Sequence, residues 1–92
     1  MYYTLTAITE NTPGVLYRIA SVFLQGQINI ERLEVSAIDE TRTRSRFRIE
    51  FFDTEQHAHL LARRMERLVE VEHVELTQEK DGGETPQNTD ST

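Results

Sequence analysis

The chain has 92 residues, no cysteine and a formal net charge of −6. That length supports a single domain. The missing cysteine excludes disulfides, thiolate metal sites and cysteine nucleophiles, and the acidic balance argues against a nucleic-acid backbone as partner. No run approaches the ~20 apolar residues of a membrane span. The start, Met1-Tyr2-Tyr3-Thr4, carries neither a basic nor an apolar signal segment, so a cytoplasmic protein without membrane contact is expected. A domain of this size buries only about 60–65% of its unfolded surface and gains from forming a homodimer or a higher homo-oligomer.

Residues 2–8 alternate, with Tyr3, Leu5 and Ala7 on one face and Tyr2, Thr4, Thr6 and Ile8 on the other, which predicts a strand. Val15, Leu16, Ile19, Val22 and Phe23 share one face of a helix expected over about 14–25, with Gly26 as its stop. In the run 28–38 the apolar positions change phase, from Ile28 and Ile30 to Leu33, Val35 and Ala37. A strand has period two, so this predicts a bulge near Glu31-Arg32. Asp39–Arg42 reads as a turn. Thr43–Phe52 reads as the returning strand, with Ser45, Phe47, Ile49 and Phe51 on one face and Arg44, Arg46, Arg48 and Glu50 on the other. If Ala37 opposes Ser45, Glu34 opposes Arg48.

A second helix opens at Asp53–Gln56, capped by Thr54 or by Asp53 with Gln56, and carries Ala58, Leu61, Met65 and Leu68 on its apolar stripe. Val69–Thr77 returns to strand, with Val69, Val71, Val74 and Leu76 as its apolar members. Residues 78–92 contain no Val, Ile, Leu, Phe, Tyr or Met, and Lys80 there stands against Glu79, Asp81, Glu84 and Asp90. They are expected to be a disordered acidic tail, leaving residues 1–77 as the domain. The order βαββαβ predicts an α+β, ferredoxin-like fold, a four-stranded antiparallel sheet with both helices on one face.

Two segments stand out. Asn11-Thr12-Pro13-Gly14-Val15-Leu16 joins the first strand to the first helix. Pro suits the first helical turn, Gly permits close approach, and the spare N–H groups of a helix start can hold a carboxylate. The plain alternative is an ordinary strand-to-helix turn with Asn11 as cap. Asn29-Ile30 places an amide inside an apolar run, either for a ligand or to fix the bulge. The Arg44, Arg46, Arg48 stripe with Glu34 reads as a solvated, dimer-facing or partner-facing surface. RNA-binding modules share the element order. Here, though, Phe47 and Phe51 lie opposite the arginines, and the glycines of the third-strand RNA signature are absent. His57 and His59 point apart on a helix, so no metal site is expected. No nucleophile–base set, P-loop or dinucleotide fingerprint is present, so no catalytic residue is expected.

The stretches Asn11–Ile19, Asn29-Ile30-Glu31-Arg32-Leu33-Glu34-Val35, Ser45-Arg46-Phe47-Arg48-Ile49 and Leu68-Val69-Glu70-Val71, with Phe23 between the first two, resemble the N-terminal ACT domain of the small regulatory subunit of acetohydroxyacid (acetolactate) synthase. The resemblance covers residues 3–77. It implies a non-catalytic subunit that dimerises through sheet or helix edges and binds a valine-type amino acid between two protomers. It also implies control of branched-chain amino-acid biosynthesis through a large catalytic subunit carrying thiamine diphosphate, magnesium and FAD, with no cofactor in the small chain. The residues implied in effector binding are Asn11, Thr12, Pro13, Gly14, Val15, Leu16, Asn29 and Ile30, with Asn29 often reaching the ligand from the other subunit. Gly26 lies one position earlier than the family's usual glycine, and Tyr17 replaces a small or polar residue. The longer members' second domain has no counterpart in these residues. The alternatives are an effector-independent assembly module and a stand-alone ACT amino-acid sensor for another partner.

Overall fold

The computed structural model describes residues 1–79. The element order is β1 (Tyr2–Glu10), α1 (Val15–Gln25), β2 (Ile30–Ala37), β3 (Arg44–Phe52), α2 (Glu55–Glu66) and β4 (Val71–Glu79). The strands form one antiparallel sheet in the order β2-β3-β1-β4. This is the ferredoxin-like arrangement expected from the sequence. The inward face of the sheet carries Tyr3, Leu5, Ala7, Phe47, Ile49 and Phe51, which pack with Val15, Ile19, Val22 and Phe23 of α1 and Ala58, Leu61 and Met65 of α2. At the centre, Phe51 meets Phe23 edge-on at 5.4 Å and stacks on Tyr3 at 5.9 Å. Such aromatic pairs add about 0.5–1.5 kcal/mol each beyond area burial.

The β2–β3 hairpin has the expected register: Ala37 opposes Ser45 and Glu34 opposes Arg48. The register shifts between Ile30 and Arg32, so Glu31 is the extra residue that lets the apolar phase change. Glu34 nonetheless pairs with Arg32 at 2.7 Å, and Arg48 approaches Glu50 at 3.8 Å, so opposition in register did not decide the ion pairing. Asp39 organises the turn. Its carboxylate accepts from the backbone N–H of Thr43 at 2.9 Å and from the hydroxyls of Thr41 and Thr43. Those hydrogen bonds, the Thr43 hydroxyl foremost, hold its pKa down at about 2.

Several boundaries differ from expectation. A second register shift falls between Ile8 and Thr9, where His73 and Val71 are the successive partners, so Glu72 is an extra residue in β4. The same signal, Val71 out of phase with Val74 and Leu76, stood in the sequence unread. Val69 is not a strand residue; it is 85% exposed in the turn before β4, because Arg67 and Leu68 are still closing the end of α2. β4 extends through Gln78 and Glu79, where Thr4 donates to Glu79 at 3.1 Å. The rest of the expected tail, residues 80–92, lies outside the described residues.

α1 stops at Gly26, which has right-handed backbone (φ −81°); the left-handed residue is Gln27, at φ +57°. The conformation that glycine tolerates best therefore falls one position after the glycine. On the outward face, Tyr2 donates to the Glu50 carboxylate and packs on Phe52 at 4.6 Å. Burial first, then the hydrogen bond and charge of Glu50, push the Tyr2 pKa up to about 12 from its ordinary 10.

Gln27→Gly should raise stability by about 1 kcal/mol, since a side chain in left-handed backbone costs ~1–2 kcal/mol and glycine returns part of that gain as chain entropy; urea unfolding measures it. The raised Tyr2 pKa means that the folded state holds the phenol proton more tightly. That contribution is complete below pH 10 and is lost as pH rises from 10 through 12. Alkaline unfolding of Tyr2→Phe should lack this loss between pH 10 and 12.

Candidate functional site

The β1–α1 loop is held at both ends by backbone. Glu10 N–H donates to the Glu70 carbonyl and Asn11 N–H to the Thr43 carbonyl, each at 2.9 Å. The Asn11 side chain does not cap α1. Its Nδ2 donates to the Arg42 carbonyl at 2.7 Å, which fastens the loop to the β2–β3 turn. Pro13 is not in the first helical turn either. Gly14 is the N-cap, at φ +92°, and Pro13 precedes it. Left-handed backbone explains the glycine, since an added Cβ would meet no atom within 4 Å and sterics alone do not require it.

Gly14 leaves α1 open. It brings no side-chain oxygen to the helix start, and the first turn contains no acidic residue. The Val15 N–H reaches the Thr12 carbonyl at 3.4 Å, while Leu16 and Tyr17 N–H groups have no intramolecular acceptor among the described residues. α2 shows the contrast: Thr54 accepts from the His57 N–H at 3.2 Å and Glu55 supplies a first-turn carboxylate. Both starts leave two N–H groups without an acceptor among the described residues, Glu55 and Gln56 in α2 as Leu16 and Tyr17 in α1. Only α2 adds a side-chain cap and a first-turn carboxylate; the positive dipole end of α1 is uncompensated. Asn11, Thr12, Pro13 and Gly14 are exposed, Val15 is buried in the core, and Leu16 is half exposed.

Asn29 is exposed just before β2, and Ile30 pairs with Phe51. The loop binds Thr43, eight residues along β3 from Phe51 and on its β1 side, whereas Ile30 lies on its β2 side. At about 3.3–3.4 Å per residue, the attachment points of Asn11 and Asn29 on β3 stand ~27 Å apart in one chain. The structure therefore does not bring Asn11–Leu16 and Asn29-Ile30 together within a protomer. Two open grooves, of about 290 and 260 Å³, lie elsewhere, one along α2 by Gln56, His57, Leu60 and Arg63, the other by Glu66 and residues 71–74. Neither touches the loop, and the groove on α2 has no tie to the open helix start.

A model of the AHAS small subunit-like ACT domain matches residues 5–73. The chain belongs to this family. The acetolactate synthase small subunit of Mycobacterium leprae (strain TN) is 37% identical over 69 residues, covering 75% of this chain and 40% of that one. The solved acetolactate synthase small subunit of Thermotoga maritima superposes with a TM-score of 0.73 at 25% identity, over 83% of this chain and 47% of that one. The ACT domain of a GTP pyrophosphokinase from Chlorobium tepidum superposes with a TM-score of 0.70 at 17% identity, over 84% and 97% of the two chains. That last likeness shows the fold. The chain spans less than half the length of either small subunit it matches.

One flank of this ACT domain is apolar and uncovered. Leu33 and Val35 lie on the inward face of β2, yet are 40% and 47% exposed, because β2 is a sheet edge. At 100° per residue, Leu16, Ala20 and Leu24 form a second stripe on α1 beside its core stripe. Arg18, on the other side of the core stripe, pairs with Glu70 at the head of β4, at 2.6 Å. The Leu16–Ala20–Leu24 stripe therefore faces the β2 edge. Neither the stripe nor its continuity with Leu33 and Val35 was read from the sequence. Helical periodicity carried the signal: five apolar residues explained the core, and Leu24 lay outside it.

Gly14→Ala should lower stability by about 1–2 kcal/mol, the cost of a Cβ in left-handed backbone, even though no atom stands in its way. Thermal or urea unfolding checks this, and an unchanged midpoint would mean that the loop relaxes.

Proposed function

We propose that this ACT domain acts as a non-catalytic regulatory module of an acetolactate synthase, and that it binds a branched-chain amino acid of the valine type between two copies of the chain. The observation that carries the reading is the uncapped start of α1 together with the ~27 Å between the attachment points of the loop and of Asn29 on β3. An antiparallel pairing of β2 with β2 of a second copy places the Ala37 end of one strand beside the Ile30 end of the other. That brings Asn29 of the second copy to the end of the sheet where the Asn11–Gly14 loop lies. The same pairing buries the exposed Leu33 and Val35 and the Leu16–Ala20–Leu24 flank, and satisfies an unpaired sheet edge. The effector carboxylate then meets the Leu16 and Tyr17 N–H groups, and the amides of Asn11 and Asn29 stand on either side.

Such a site couples effector binding to the arrangement of two protomers, a coupling typically worth ~1–3 kcal/mol. The catalytic partner in this reading is the synthase large subunit, whose thiamine diphosphate, magnesium and FAD carry the chemistry. The family membership and the two small-subunit relatives support that partner.

Isothermal titration with valine, leucine and isoleucine tests the site. At least one should release or absorb heat in the parent chain. Gly14→Asn keeps a residue that tolerates left-handed backbone and should retain binding. Gly14→Asp, nearly the same shape with a charge, should lose it by at least tenfold through repulsion of the effector carboxylate. Equal binding by the two variants would sink the loop assignment. No heat with any of the three amino acids, together with activation of a reconstituted large subunit, would favour an effector-independent assembly role.

A further inference from the structure

The face of the sheet turned away from the helices carries a charge pattern that the proposed effector site does not use. Its strands read, across β3, β1 and β4, as a basic stripe, a neutral stripe and an acidic one. β3 contributes Arg44, Arg46 and Arg48, with Glu50 ending the basic run; β1 contributes Thr4, Thr6 and Ile8; β4 contributes Glu75 and Glu79, with His73 beside them. Thr6 is the centre of the pattern, since it pairs with Arg48 on one side and with Glu75 on the other. Arg48 and Glu75 are only loosely engaged within the chain. Arg48 stands 3.8 Å from Glu50, Glu75 stands 3.6 Å from His73, and their side chains are 52% and 70% exposed.

We propose that this sheet face is a self-complementary docking surface for a second copy of the chain, packed face to face about a two-fold axis that runs along β1 through Thr6. Rotation about that axis lays the β3 of each copy over the β4 of the other. Arg48 then faces Glu75 of the second copy twice over, while the neutral β1 residues meet their own counterparts. Packed sheets stand ~10 Å apart, a gap that an Arg and a Glu side chain together span. The alternative two-fold, across the strands at Thr6, lays Arg48 on Arg48 and Glu75 on Glu75, and brings Arg46 only to Glu50, which is mostly buried and already accepts from Tyr2. Charge selects the first axis over the second.

Three strands at ~4.8 Å spacing and about nine residues long cover roughly 400 Å² per copy in projection, the low end for a specific contact. The association is therefore weak, and because its pairs lie near solvent it weakens with salt. It uses none of the β2 edge or α1 flank. An axis along β1 and one through the β2 edge do not meet, so the two contacts together build an open-ended stack and not a closed tetramer.

Sedimentation velocity of the full chain, at low and high ionic strength over a range of concentrations, tests this. At low salt the parent should grow in mass with concentration, and at 0.5 M salt that growth should vanish; association that survives high salt belongs to the apolar β2 edge. Glu75→Arg, at an exposed position, should abolish the salt-sensitive growth, and the swap of Arg48→Glu with Glu75→Arg should restore it. Circular dichroism verifies that each variant is folded, and Arg48→Gln, which should weaken the growth, replaces the swap if Arg48→Glu does not fold beside Glu34. A parent with no salt-sensitive association would overturn the proposal. So would a Glu75→Arg variant that associates like the parent, or a folded swap that fails to restore growth.

Discussion

The register of β3 is the constraint on which the rest depends. It is an interior strand, paired with β2 on one side and β1 on the other. Its alternation sends Ser45, Phe47, Ile49 and Phe51 into the core and Arg44, Arg46, Arg48 and Glu50 out to the opposite face. A slip of one residue would bury three arginines and expose three large apolar side chains, so the register admits no neighbour. Through β1 it fixes where Tyr3 stacks, and through β2 it fixes which apolar residues reach the edge. The Asp39 carboxylate, gathering Thr41, Thr43 and two backbone N–H groups, sets the turn that starts this register correctly.

Two single-residue bulges then adapt both edge strands to this centre. Glu31 in β2 and Glu72 in β4 each lie between apolar positions of opposite phase. In both cases the extra residue is a glutamate that projects to solvent at no cost to the core. Glu72 also finds Arg44 at 3.1 Å, which ties β4 to β3 across the end of β1. The edges thereby keep Ile30, Leu33 and Val35 in β2, and Val71, Val74 and Leu76 in β4, on the helix side. In β2, Leu33 and Val35 remain half exposed, because α1 does not extend over them.

The two helix starts of this fold differ. α2 carries its own Thr54 cap and the Glu55 carboxylate. α1 opens with a left-handed glycine and no carboxylate, and the Asn that sequence alone suggested as its cap is committed to the Arg42 carbonyl instead. The ion pair between the exposed Arg18 and the largely buried Glu70 links the second turn of α1 to the head of β4, just behind the open first turn. In the proposed site, a loop held at both ends by backbone hydrogen bonds would meet the effector carboxylate with little left to reorganise.

Residue type and periodicity alone determined the element order, the inward faces of β1, β2 and β3, the hairpin register and the first bulge. Each follows from local rules: period two, period 3.6, or a turn with Asp at its head. The family was also legible, because the loop and Asn29 lie at a fixed spacing along the chain. Only the tertiary structure decided which polar atoms find which partners. Whether Asn11 caps a helix or holds a turn depends on Arg42, 31 positions away in sequence, and no local pattern contains that contact. Likewise only the fold reveals that the loop and Asn29 stand at opposite ends of one sheet, since separation in space is set by strand pairing and not by spacing along the chain.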